Sequence, residues 1–105
     1  MFVQPAQKAV PAESIVVGDQ VFRTQTAHGE LMLVVDEIGQ DVHAGRKVYV
    51  WIGTVYKLEA ERTGPKALFL GNMTAIPMCR GAWSIPVDRQ VLKGVPKAGA
   101  CFDTG

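Results

Sequence analysis

A chain of 105 residues, 48% of them apolar and 20% charged, with a formal charge of +1, has material for one domain around one core and not for two. Apolar runs such as residues 31–35 fall far short of the roughly 20 residues a membrane helix needs. No apolar stretch follows a basic region near the start, so the sequence predicts a cytoplasmic protein without a secretory leader or membrane association.

Eleven Gly and six Pro cut the chain into segments too short for ordinary helices, which predicts strands and turns. Residues 1–43 carry two cations against six carboxylates, and residues 44–105 carry nine cations against four. Sequential strands wrapping around one interior are expected to cancel most of that asymmetry.

In chain order, residues 1–12, with Pro5 and Pro11, read as an extended lead-in to a domain spanning 13–93. In ESIVVGDQVF (13–22) the apolar run halts at Gly18-Asp19. Gly tolerates positive φ and Asp bonds neighbouring amides, so the pair predicts a tight turn ahead of Val21 and Phe22. QVFRTQ then reads as a strand and TAHGE as a loop. In ELMLVVDEI five successive apolar residues cannot share a face at a period of two, so this strand is covered on both faces or strongly bent, at the centre of the core.

GQDVHAG reads as the next loop. RKVYVWIGTVYKL is β-branched and aromatic throughout, with Gly53 marking a bulge or bend. RTGP is a turn, and KALFL and MTAIPM flank Gly71-Asn72 as a two-residue hairpin. CRGA is a further turn. WSIPVDRQVLK alternates, with Trp83, Ile85, Val87 and Val91 on one face, and Pro86 requires an edge or a bulge there. Residues 94–105 read as a flexible tail.

The series ESIVVGDQVF, LMLVVDEI, KVYVWI and IPVDRQVL resembles small SH3-like β-barrel proteins of bacteriophages and actinobacteria that open with an Ile-x-Val-Gly-Asp-x-Val motif. The likeness spans residues 13–93 and implies an all-β fold, a small SH3-like barrel of five to seven short strands. It is a likeness of pattern and carries no functional residue. Hint and KOW domains share a similar Gly-Asp turn, but the nucleophilic cysteine and paired histidine motifs of Hint are absent here. Small domains of mobile elements often act by blocking a host protein. The resemblance therefore implies a non-enzymatic accessory factor that engages a host protein.

Groups that could carry chemistry are sparse. His28 and His43 stand beside Glu30 and Asp41 with no surrounding motif, and they read as solvated loop histidines rather than metal ligands or a Cys-His pair. GNMTA lacks the lysine and spacing of a phosphate loop. Cys79 and Cys101 are too far apart for a metal knuckle; they are two free thiols in a reducing compartment or one disulfide tethering the tail. No enzyme, cofactor or metal is expected.

Two binding modes remain. On the long strand Lys47, Tyr49, Trp51, Val55 and Lys57 share one face, and Val48, Val50, Ile52 and Tyr56 share the other. If the aliphatic face is the core, Tyr49 and Trp51 form plates on which nucleic-acid bases stack. Lys47, Lys57, Arg46, Arg80 and Lys93 would then neutralise phosphates. If instead the bend at Gly53 turns Trp51 beneath the lead-in, the indole plugs one end of the barrel and the platform is lost. Trp83, on an alternating strand, reads as core. The other mode is protein interaction or self-association through an edge strand such as WSIPV, or through the tail with Phe102.

Overall fold

The computed structural model describes residues 7–26, 29–59, 66–70 and 73–94. They form seven strands: β1 (Gln7–Pro11), β2 (Gln20–Thr26), β3 (Gly29–His43), β4 (Arg46–Glu59), β5 (Leu68–Leu70), β6 (Met73–Pro86) and β7 (Gln90–Gly94). One 3-10 turn, Ala12–Ser14, links β1 to the chain ahead of β2. Every pairing is antiparallel, in the order β1-β7-β2-β3-β4-β6-β5. The protein is all-β. No helix among the described residues is long and apolar enough to cross a membrane.

The order is linear, and the expected closure into a barrel does not occur: β1 and β5 are its ends, and among the described residues no pairing joins them. Both edges of β7 are already taken, by β1 and β2. β1 is only five residues long and ends at a proline, and β5 covers only Met73–Ala75 of β6. The sheet curls instead. Arg23 of β2 lies over the Trp83 ring of β6, 5.5 Å from its centroid, although β3 and β4 separate these strands in the sheet.

The curl has a local cause. Pairing of β3 with β4 shifts between Val35 and Glu37, leaving Asp36 as an extra residue, and such a bulge bends its strand and increases its twist. Gly53 sits opposite. A Cβ there would overlap the carbonyl oxygen of Val34 and stand 3.2 Å from the Asp36 nitrogen. The bulge thus lies on the neighbouring strand, and the glycine is the space it requires. A second shift, between Val55 and Tyr56, leaves Met78 extra on β6.

Residues 31–35 are covered on both faces, as their unbroken apolar run predicts. Leu33 and Val35 join Ala12, Ile15, Val21, Trp51, Val55 and Trp83 in one cluster, while Met32 joins Phe22, Leu58 and Ala75 in another on the opposite face. The Gly18-Asp19 turn is also found. Asp19 N donates to Val16 O at 3.1 Å with Gly18 at φ 99°, a type II turn that a side chain at position 18 would strain. Asp19 Oδ2 accepts from Val16 N at 2.9 Å. Ile15 is buried, but Val16 and Val17 are 58% and 61% exposed, so the apolar run that ends at this turn is only partly core.

Several boundaries differ from expectation. The lead-in contains β1, tied to β7. GQDVHAG is not a loop: β3 continues to His43 and turns on Ala44 and Gly45 alone, both at positive φ (53° and 78°), the signature of a type I′ hairpin. CRGA is not a turn, because β6 stays paired with β4 through Gly81 and Ala82. WSIPVDRQVLK is not one strand. It breaks after Pro86, where Arg89 N donates to Pro86 O at 3.1 Å, yet Trp83, Ile85 and Val91 still meet in one cluster from two strands. Leu70 pairs with Met73 across the proposed hairpin; Gly71 and Asn72 themselves, the RTGP turn and the tail beyond Gly94 lie outside the described residues.

A candidate strand-docking edge

The seven residues proposed for a binding face do not converge. Trp51 is 0% exposed and packs with Ala12, Ile15 and Trp83, its direct cross-strand partner, so it cannot act as a stacking plate. Tyr49 is half-buried against the same cluster. The aromatic face of β4 is therefore the core face, the reverse of the arrangement a nucleic-acid platform needs. Trp51 Nε1 is buried without a hydrogen-bond acceptor.

The cations are dispersed along the sheet. Arg46 and Lys47 are exposed at the β3–β4 tip, whereas Lys57 stands ten residues on, about 34 Å measured along the strand, 3.3 Å from Glu59. Arg80 Nη1 donates to Asp36 Oδ2 at 2.6 Å and its Nη2 lies 3.6 Å from Glu37. Lys93 lies 3.3 Å from Asp19. His43 sits 3.3 Å from Asp41, and no cluster of three or more metal-ligating side chains occurs among the described residues. His28 and Cys101 fall outside them.

What the fold does assemble is an open edge. β2 pairs with β3 only as far as Val34, and the turn that begins β2 adds a last rung in which Gly18 N donates to Val35 O and Val35 N to Asp19 O (2.8 and 3.0 Å). Beyond that rung the lane beside β3 is empty of described residues from Asp36 to His43, while β4 fills the other side. Antiparallel alternation, counted back from the tight His43–Arg46 turn, points the N–H and C=O groups of Ile38, Gln40 and Val42 outward. The Val42 amide is already occupied, donating to Asp41 Oδ1 at 2.7 Å. Among the described residues nothing takes either group of Ile38 or Gln40.

Side chains along this edge alternate. Ile38, Gln40 and Val42 share the face of Trp51, with Ile38 39% and Val42 59% exposed; Glu37, Gly39 and Asp41 share the other. Val16 and Val17 stand at the end of the lane, so among the described residues four of the five large exposed apolar side chains border it. The outer edge of β6 is also open beyond Ala75. It is interrupted by Pro77, Pro86 and the bulge at Met78, devices that blunt an edge.

Sequence reasoning missed this site by reading residues 39–45 as loop. The usable signal was present: Ile38, Gln40 and Val42 alternate with Gly39 and Asp41 ahead of a two-residue turn ending in glycine. The chain matches no protein-family model, and comparison with curated proteins and with solved structures finds no match.

Proposed function

We propose that the protein is a non-enzymatic interaction module that binds a partner protein by strand addition along β3. The observation that carries this reading is the edge from Asp36 to His43, unpaired among the described residues, with two residues whose main-chain donors and acceptors no described residue uses. Each main-chain bond contributes about 0.5–1.5 kcal/mol net, and exposed apolar side chains beside the lane add specificity. The Ile15–Val21 motif and the curl of the sheet about the cluster that holds Trp51 and Trp83 support an SH3-like relationship. With it comes the proposal that the partner is a host protein engaged by a phage or mobile-element factor. Nucleic-acid binding ranks lower, because Trp51 is buried and Lys57, Arg80 and Lys93 each face a carboxylate.

The test is a Gln40→Pro variant. Proline removes an amide that makes no bond within the fold, so the domain is expected to keep its stability while losing the partner that wild type retains from host lysate in stoichiometric amount. Equal recovery by the two proteins would exclude this edge as the site.

A further inference from the structure

We infer that the occupant of the β3 edge is an extended segment in which apolar residues alternate with Lys or Arg, and not a second copy of this chain. The inference rests on the strand-addition reading above and specifies the partner's chemistry.

The lane runs from the Val16–Val17 turn to the hairpin tip beside seven residues of β3, 37–43, which at strand rise is about 24 Å. A strand laid there pairs with Ile38 and Gln40 through both main-chain groups and with Val42 through its carbonyl, since the Asp41 carboxylate holds the Val42 amide. Every second side chain of the incoming strand then lies over Ile38, Gln40 and Val42, where exposed aliphatic surface favours Val, Ile or Leu. The intervening side chains face Glu37, Gly39 and Asp41. Gly39 offers room for a long side chain, and the flanking carboxylates favour a cation.

Cations do stand nearby. Arg80 reaches Asp36 and Glu37 from β6, and Arg46 and Lys47 lie opposite His43 and Val42 on β4. Arg46 and Lys47 project from β4, beyond β3, whereas Arg80 reaches Glu37 and His43 of β3 lies 3.3 Å from Asp41, so an incoming cation shares these exposed carboxylates with them. Self-pairing centred on Gly39 would bring Glu37 of each copy opposite Asp41 of the other, and like charges directly opposite are destabilising; centred on Gln40 it would set Ile38 opposite Val42, whose amide Asp41 already holds.

The experiment uses the full-length, isotope-labelled chain and three capped heptapeptides: alternating Lys and Val, alternating Glu and Val, and the Lys-Val peptide with its alternate amides N-methylated. The Lys-Val peptide is expected to shift amides 37–42 and 16–18, with affinity falling as salt rises, and N-methylation is expected to abolish the effect. A Glu37→Lys, Asp41→Lys double variant should bind the Lys-Val peptide at least about tenfold more weakly. If the Glu-Val peptide instead shifts these amides, the stated chemistry is wrong while strand addition stands. If no peptide shifts them, or if shifts survive N-methylation, strand addition fails as well. A chain that sediments as a dimer with amides 38 and 40 protected from exchange overturns the exclusion of a second copy.

Discussion

The β3–β4 hairpin holds two regions that share the same two strands and the same ladder, joined at the Asp36 bulge. In the base, residues 29–35 and 53–59, β2 lies on one side and β6 on the other, and Met32, Leu33 and Val35 are fully buried. In the tip, residues 36–43 and 46–52, β4 keeps both neighbours but β3 has lost β2, and every residue from Asp36 to Lys47 is exposed. Pairing between β3 and β4 resumes past the bulge and runs to His43 and Arg46, so it does not distinguish the regions. Their difference lies in what covers the outer lane, and that is decided by the type II turn ahead of β2, whose rung at Val35 is the last on that side of β3.

The comparison can be broken most severely at Trp51, which sits on the tip side of Gly53 yet is fully buried and so belongs to the core of the base. Trp51→Ala should cost about 3–5 kcal/mol by chemical denaturation, enough to unfold much of a domain this small. A loss below about 1 kcal/mol would mean the indole is not packed as described. The hinge itself comes next. Gly53→Ala forces a methyl into the Val34 carbonyl and should cost about 1–3 kcal/mol, with amide shifts centred on residues 34–37. Smallest is the tip: Val42→Ser, at a side chain mostly in water, should alter stability by no more than about 0.5 kcal/mol, and Ile38→Ser, at one partly covered beside Trp51, by about 1 kcal/mol. A large loss there would show that the edge is structural and not a docking surface.

The all-β class, the Gly18-Asp19 turn and the double burial of residues 31–35 were legible because each follows from local chemistry: glycine and proline spacing, a φ only glycine adopts freely, and too many adjacent apolar side chains for one face. Trp83 as core was legible from alternation. The candidate edge was not, although Ile38, Gln40 and Val42 alternate. Polar residues around them lower strand propensity, and the I′ turn uses Ala44, which does not advertise the positive φ it adopts. The face of Trp51 was ambiguous for a related reason, since the odd and even residues of β4 are both rich in apolar side chains.

Periodicity reports that a residue alternates with its neighbours but not which side of the sheet will be roofed. Composition and spacing were therefore sufficient to establish strands, turns and an apolar interior, though not its division between the two faces of the sheet. Three things depended on tertiary structure: the inward direction of the aromatic face of β4, the failure of the sheet to close, and the end of β2 one rung past Val34, which leaves β3 bare. Each depends on pairings between residues distant in the chain, such as Trp51 with Trp83 and Val35 with Asp19, whose formation is a competition among strands that no local stretch encodes.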